Sequence, residues 1–496
     1  MTVNDLMALL PALVLIAGAF ATVAVATIVR PERRQGVSEL ICYIAIAAAA
    51  GSAFLSISKP PSAQSAFLEG FSRAVRLDEL ALFMTLTVLL AIGLSIVLSA
   101  DAMKGQEAAQ GEYYGLMLLA ASGMLLLVES QDLITFFISL EILSLALYAL
   151  TGLLRRDTRS NEASIKYFVM GAFASGFVLY GMALLYGATG RLLLPEIGQQ
   201  IDKGAVEVPA LVTSGVVLLA IGLAFKVGAV PFHQWVPDVY EGAPTSVTAF
   251  MSVAVKAAGF GGLLRILLTA VHPEAGTWGP LFWTLAVATM IGGNLLALVQ
   301  QNVKRMLAYS SIAHTGYVLA SLSALRNSAG TLQIETGSAA TYYLFVYTFM
   351  TLGAFAFLIY AGRGDKDAED IVDFAGLAKR KPWMALAMTI FMLSLGGIPP
   401  TAGFFGKFML FKSMIAAGEI DLVIIGVLSS AVSLYYYLRV VVYMYMKPEA
   451  QGAEEPRFGF NAGMVVASCA VFTLALGLMP ARFLVLSFQS IETLLR

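Results

Sequence analysis

The sequence predicts an all-α polytopic membrane protein of about 14 transmembrane helices, two of them broken, arranged as two inverted five-helix repeats. Of its 496 residues, 58% are hydrophobic and only 13% are charged, and the mean hydropathy is +0.80. A soluble domain carries about 25% charged residues. Long apolar runs separated by short charged loops recur along the whole chain. We therefore expect a protein embedded in a lipid bilayer, with no large soluble domain.

Each predicted crossing is an apolar run of roughly 20 residues that is bounded by charged or turn-forming residues. In chain order the runs are 6–29, 40–57, 80–99, 113–129, 133–154, 165–186, 209–239, 245–270, 281–299, 308–325, 339–360, 382–417, 422–445 and 462–479. Loops after odd-numbered helices hold sixteen Lys and Arg residues, and the other loops with the C-terminal tail hold eight. The positive-inside rule then puts both termini on the outer side of the membrane.

Two of the runs are interrupted by glycine and proline, which end or kink helices. The first reads AFKVGAVPFHQWVPDVYEGAP and the second LSLGGIPPTAGFFGKF. Aligning Gly228–Pro231 with Gly396–Pro399 gives an offset of 168 residues. The second break lies five helices after the first, an odd number, so a repeat has inverted topology. Broken helices at matching positions of inverted repeats indicate the binding region of a transporter.

The repeats divide the chain into four expected units. Residues 1–110 hold helices 1–3, 111–275 hold the first repeat (helices 4–8), 276–446 hold the second (helices 9–13), and 447–496 hold helix 14 and a tail.

Charge and cysteine content exclude several function classes. The formal net charge is −1, and the basic residues are scattered over the loops, which gives no basic face for nucleic acid. The two cysteines, Cys42 and Cys469, lie far apart and belong to no C-x-x-C pattern. We expect no metal, haem or iron–sulfur cluster bound by this chain alone.

Charged residues inside the apolar runs are the most informative feature. A charge at the bilayer centre costs about 2.5–3.5 kcal/mol on insertion scales, so such residues usually face the protein interior and line ion pathways. Among the 32 acidic residues, only Glu141 is predicted to lie deep in a helix. The basic residues in apolar runs are Lys166, Lys226, Lys256, Arg265, Lys407, Lys412 and Arg439.

Four of these residues are the main candidates for a proton relay. Glu141 lies about nine residues into its helix, with Ser144 and Tyr148 on the same face, and the alternative is a buried structural ion pair. Lys226 precedes the first break and Lys407 follows the second, where snorkelling to a helix end is the alternative. Lys256 has no acidic residue one turn away, so its partner must come from another helix or from water.

Other residues are weaker candidates. His233 and His314 titrate near neutral pH, although a lone histidine is more often structural. Lys166 and Lys412 lie near helix ends, which favours snorkelling over a relay. Arg265 and Arg439 are interpreted as structural, because guanidinium does not deprotonate. The run Tyr435–Tyr437 is predicted to pack rather than to bind a quinone.

With these residues in view, the sequence resembles the antiporter-like membrane subunits of respiratory complex I, the NADH-quinone oxidoreductase. The matching stretches are FFISLEILSLALYAL, IKYFVMGAFASGFVLYGMALLYGATG, FKVGAVPFHQWVPDVYEGAPTSVTAF, NVKRMLAYSSIAHTGY and SLGGIPPTAGFFGKF, from about residue 136 to 408. The segment PDVYEGAP together with Lys407 favours the N-type branch. The M-type branch has a glutamate at that place, and the L-type branch adds a long lateral helix.

The resemblance implies a function and roles for the candidate residues. Glu141 and Lys226 would form a switchable pair, Lys256 the central relay and Lys407 the outward residue. Quinone reduction in other subunits would drive protons through this chain. NADH, FMN, iron–sulfur clusters and quinone would be bound by partner subunits, and neighbouring antiporter-like subunits would be direct partners. The alternatives are a subunit of an Mrp-type sodium/proton antiporter, which shares the repeat, and a passive scaffold.

Overall fold

The computed structural model describes residues 3–58, 68–103, 110–327, 330–362, 367–448 and 459–494. Over these ranges the chain is almost entirely helical. The helices of the first half are α1 Val3–Ile28, α2 Pro31–Ser58, α3 Glu79–Ala102, α4 Gln110–Glu129, α5 Leu133–Thr151, α6 Thr158–Thr189, α7 Leu194–Asp202, α8 Pro209–Val227, α9 Trp235–Gly242 and α10 Thr245–Thr269. Those of the second half are α11 Ala275–Leu298, α12 Val303–Ser323, α13 Ile334–Tyr360, α14 Leu377–Arg380, α15 Pro382–Gly396, α16 Ala402–Ala417, α17 Ile420–Met446, α18 Phe460–Leu478 and α19 Ala481–Leu494.

All fourteen predicted segments are helical, and the two interrupted segments are the pairs α8/α9 and α15/α16. Twelve of the described helices are long and apolar enough to cross a membrane, so the prediction of a multi-pass membrane protein is confirmed. The remaining predicted crossings are α12, which is rich in polar side chains, and the pair α15/α16, whose halves have 15 and 16 residues.

Several elements were not predicted, among them the short helix α14. An antiparallel hairpin pairs β1 Leu68–Gly70 with β2 Val75–Leu77 between α2 and α3. Helix α7 lies in the connection between α6 and α8. Residues 481–494, predicted as a tail, form the amphipathic helix α19, which packs on α13 and α3. With 14 residues α19 is too short to cross a bilayer.

The most deeply buried helices are α10, α12 and α13, which contact one another. Every residue in the most apolar stretch of α10 is buried, because α3, α4, α8 and α13 pack around it. A charged residue on α10 therefore cannot reach lipid or bulk water by its own length. The loop cations Lys59, Lys104, Arg363, Lys366, Arg457 and Arg496 lie outside the described residues, and the predicted orientation and unit boundaries stay predictions.

Candidate functional site

The two broken helices end with the same backbone geometry. Helix α8 is capped by Gly228 with φ +76°, and α15 is capped by Gly397 with φ +82°. The residue after each glycine donates its N–H to a carbonyl five residues back, at 2.9 Å in both cases. This left-handed cap favours glycine because a Cβ is strained there. The equivalent glycines are thus 169 residues apart, and the offset of 168 predicted from sequence was wrong by one.

Lys226 lies in the last turn of α8 and is buried. Its Nζ donates to the Ser144 hydroxyl of α5 at 2.8 Å and lies 5.9 Å from the centre of the Tyr167 ring. Glu141, one turn before Ser144, is partly exposed and accepts a hydrogen bond from Ser175 of α6. Glu141 and Lys226 therefore make no direct ion pair. Instead Lys226 contacts Ser144, which lies one turn after Glu141 on the same face of α5.

Lys256 is buried in the middle of α10. Its ammonium donates to the Ser311 carbonyl and, at 2.7 Å, to the Thr315 hydroxyl, both on α12. Thr315 in turn donates to the carbonyl of Val227 at 2.8 Å, next to Lys226 in the chain. The expectation that the partner of Lys256 comes from another helix is confirmed. One threonine hydroxyl links it to the end of α8.

His314 lies between the two halves of the site and is buried. Its Nδ1 is hydrogen-bonded to the Tyr343 hydroxyl, and its Nε2 lies 3.1 Å from the Tyr437 hydroxyl. Tyr347 lies against both neighbours: its ring centre is 5.2 Å from that of His314 and 5.9 Å from the Lys256 nitrogen. His314 therefore continues the polar path from Lys256 towards α16 and α17.

Lys407 lies in α16 and folds back onto the end of α15. Its Nζ donates to the Leu395 carbonyl at 2.9 Å and to the Ser430 hydroxyl of α17 at 2.8 Å. The centre of the Tyr317 ring is 4.8 Å away. The ammonium thus binds a carbonyl that the broken helix leaves without an intrahelical partner.

The three lysines have one property in common: their hydrogen-bond acceptors are hydroxyl and carbonyl oxygens. These acceptors serve an ammonium and a neutral amine alike, because both forms donate N–H. A lysine with such acceptors can lose and regain a proton while its hydrogen-bond partners stay in place. Lysine is suited to this because its charge state responds to burial and to nearby charge.

Two predicted candidates lie apart from the lysine string, which consists of Lys226, Lys256, His314 and Lys407. Lys166 pairs with Glu162 at 2.6 Å and with Asp238 at 2.8 Å, and its side chain is 42% exposed. Arg305 joins the same network, 2.9 Å from Asp238. His233 lies in the turn between α8 and α9, partly exposed, and its Nδ1 has no partner within the described part of the chain.

Sequence reasoning missed the hydroxyl groups that connect the lysines. Thr315, which supplies such a hydroxyl, and Ser311, which supplies a backbone carbonyl, lie beside the predicted candidate His314 in the stretch YSSIAHTGY of α12. This polar stretch is unusual inside an apolar protein and is the signal that could have located them. The interpretation of Tyr435–Tyr437 as packing residues missed the contact between Tyr437 and His314.

Two buried acids at helix ends were not predicted. Asp78 and Glu129 are fully buried, although both lie at helix ends where the sequence suggested contact with water. Asp78 forms a two-point ion pair with Arg265, at 2.8 and 2.9 Å, which agrees with a structural role for that arginine. Over the described ranges, no group of three or more His, Cys, Asp or Glu side chains could hold a metal.

Comparison with known proteins adds three findings. Residues 130–433 match the family described as NADH:quinone oxidoreductase/Mrp antiporter, TM. The NADH-quinone oxidoreductase subunit N of Trichlorobacter lovleyi is 46% identical over 413 residues, 83% of this chain and 82% of that protein. A chain of respiratory complex I from Thermus thermophilus with bound aureothin is 34% identical, covering 96% of this chain and 98% of that chain with a TM-score of 0.77.

An antiporter assembly shares the fold as well. A chain of the Mrp complex from Dietzia sp. DQ12-45-1b is 22% identical, with a TM-score of 0.84 and coverage of 100% of this chain and 98% of that chain. At this identity the likeness concerns the fold alone.

Proposed function

The chain belongs to the NADH-quinone oxidoreductase subunit N family, and we propose that it conducts protons through Lys226, Lys256, His314 and Lys407. Its function in that family is that of a proton-translocating membrane subunit of NADH:quinone oxidoreductase, an enzyme assembly. The redox chemistry is assigned to other subunits. NADH, FMN, the iron–sulfur clusters and quinone would bind there, and neighbouring antiporter-like subunits would contact this chain.

One observation carries the proposal: the buried lysines are held by hydroxyl and carbonyl oxygens rather than by carboxylates, and polar and aromatic side chains lie between them. Thr315 links the end of α8 to Lys256, and the tyrosines around His314 link Lys256 to the neighbourhood of Lys407. Tyr343 packs so closely against Gly406 that a Cβ there would lie 2.6 Å from its ring. A proton can be passed along such a chain by local rearrangement of hydroxyls and water.

Glu141 is proposed as the control point of the chain. It is partly exposed at the side of the protein, on the face of α5 that also carries Ser144. A charge change in a neighbouring subunit would act on Glu141 first. Moving negative charge away from Lys226 disfavours its ammonium, and the released proton would pass towards Lys256.

The remaining assignments follow the same family membership. We place the chain in the bacterial inner membrane with both termini on the periplasmic side, as the distribution of loop cations indicates. Lys407 then lies on the outward part of the route. Lys166 and His233, which lie apart from the string, are left with a structural role in this scheme.

Two substitutions test the proposal in the assembled enzyme. Glu141→Gln and Lys226→Ala should lower NADH-driven proton translocation while the complex still assembles and oxidises NADH. Glu112→Gln serves as a control because Glu112 is an exposed carboxylate in the first turn of α4. Full translocation in an assembled Glu141→Gln complex would refute the proposed control point. Gentle solubilisation should also show this chain comigrating with NADH-oxidising, quinone-reducing activity.

A further inference from the structure

A buried carboxylate outside the lysine string has no assigned partner. Glu129 is the last residue of α4, and its side chain is fully buried. Neither carboxylate oxygen has a hydrogen-bond partner within the described residues. Buried polar atoms are nearly always satisfied by protein or by ordered water, so an orphaned buried carboxylate needs an explanation.

The charged groups around Glu129 are engaged with each other. Arg265 of α10 and Asp78, which precedes α3, both face it. Arg265 uses both terminal nitrogens on Asp78 and its Nε on the Val128 carbonyl. Arg76 of β2 lies 3.4 Å from the same aspartate. Asp78 thus has two cationic neighbours, and Glu129 has no direct ion pair.

The nearest neutral polar group is in a similar position. The Thr85 hydroxyl of α3 is fully buried and lies against the Glu129 carboxyl, but too loosely for a full hydrogen bond. A hydroxyl and a carboxyl side by side can accept from and donate to each other or to a shared water molecule. Two buried polar groups that face each other without a full hydrogen bond make a site at which a proton can bind.

The cluster of Glu129, Thr85, Asp78, Arg265 and Arg76 lies at one end of the helix bundle. This is the end at which α3 begins and at which α4 and α10 end. The hairpin seals one side, since Gln131 donates to the Ala74 carbonyl at 2.8 Å and Val75 bridges Ser130. Helix α19 covers another side, where Arg76 donates to the Thr493 carbonyl at 3.4 Å. The site is therefore separated from water by two short elements rather than by a full helix layer.

We propose that Glu129 and Thr85 form a buried, hydrated proton-binding site in which Glu129 takes up and releases one proton. With Glu129 ionised, the two arginines and two carboxylates of the cluster sum to zero charge. With Glu129 protonated, the cluster carries one net positive charge and the acid can donate to Thr85. The cluster is thus stable to either state of Glu129, unlike an isolated buried carboxylate, which is costly to ionise.

Use of the site as an outlet for relayed protons rests on the proposed function, but proton binding itself does not. The site and Lys256 are connected by α10, on which Arg265 stands nine residues after Lys256. On the predicted orientation, this end of the bundle faces outwards. A proton-binding group there would lie between the lysine string and the periplasm.

Infrared difference spectroscopy of the purified complex at two pH values tests the site. The wild type should show a carboxylic acid carbonyl band that titrates with pH and shifts in deuterium oxide. The band should be lost in Glu129→Gln, kept in the control Glu112→Gln and shifted in frequency in Thr85→Val, which retains the carboxyl group. An identical band in wild type and Glu129→Gln, or no frequency change in Thr85→Val, would overturn the proposal.

Proton translocation separates this inference from the proposed function. If the Glu129 band is present while Lys226→Ala pumps normally, the binding site stands and the proposed relay fails. If Lys226→Ala loses translocation while no band depends on Glu129, the relay stands and this site is refuted. Should Glu129→Gln fail to assemble, the frequency shift in Thr85→Val still decides the question.

Discussion

Helix α10 buries two cations in two different ways. Arg265 and Lys256 stand nine residues apart on it, and their exposed fractions are 0% and 4%. Arg265 is held by the Asp78 carboxylate at two points, whereas Lys256 is held by a carbonyl and a hydroxyl. Guanidinium does not deprotonate and its partner fixes the charge. The arginine is thus a permanent part of the structure, and the lysine is free to change its charge state.

Three other predicted candidate lysines follow one pattern or the other. Lys226 and Lys407 resemble Lys256, with hydroxyl and carbonyl acceptors. Lys166 resembles Arg265 in having carboxylate partners, but these are exposed to solvent. The kind of acceptor, more than burial alone, therefore separates the proposed relay from the structural ion pairs.

Breaking the structural pair should have the largest effect. Asp78→Asn leaves Arg265 buried without its counter-charge, and loss of one partner of a buried pair costs about 3–5 kcal/mol. We expect a sharp fall in the thermal stability of the solubilised complex. Asp132→Asn is the matched control, because Asp132 also caps a helix and asparagine caps equally well. Equal stability of the two variants would contradict the structural assignment of the Arg265–Asp78 pair.

Removing a relay lysine should instead impair transport. Lys407→Met keeps the length of the side chain but removes its proton, and we expect translocation through this chain to fall about a hundredfold, the low end for a positioned acid–base group. Lys412→Met on the same helix removes an exposed lysine and should leave translocation unchanged. Proton flux into vesicles during NADH oxidation is the measurement. Similar flux in both variants would place Lys407 outside the relay.

The exposed network should matter least. Asp238→Asn weakens the contacts to Lys166 and Arg305, and exposed ion pairs contribute about 0.2–1 kcal/mol. We expect a small loss of thermal stability that shrinks further as salt is added, because salt screens exposed charges. Translocation should be unaffected. A transport defect as large as that of Lys407→Met would bring Lys166 back into the relay.

The sequence predicted the fold well because apolar length and helix breakers act locally. All fourteen segments are helical, and both breaks lie where glycine and proline interrupt the pattern. Helix α19 was missed because its apolar residues are too few for a crossing, and only contacts with α13 and α3 give it a place to pack. The spacing of apolar residues along the sequence does not indicate which helices pack against each other.

The sequence predicted which buried lysines belong to the site, but it did not predict the residues that bind them. Lys226, Lys256 and Lys407 were found because a charge in an apolar run is costly and therefore conspicuous. Asp78 and Glu129 were missed because they flank apolar runs, where a carboxylate normally reaches water. Their burial depends on the hairpin, which directly precedes Asp78 but lies far from Glu129 in the sequence, and on α19, which lies far from both. The sequence likewise did not predict the contacts of Ser175 with Glu141 and of Ser144 with Lys226, because they come from the packing of α5, α6 and α8.

The most direct test of the account is the number of protons translocated per NADH oxidised by vesicles containing the Lys256→Arg enzyme, compared with Lys256→Met. Arginine keeps the positive charge but cannot release a proton. If Lys256 works by changing its protonation state, both variants should lose translocation to a similar degree. Translocation restored to the wild-type ratio in Lys256→Arg would show that a fixed charge suffices, and would contradict the proposed relay.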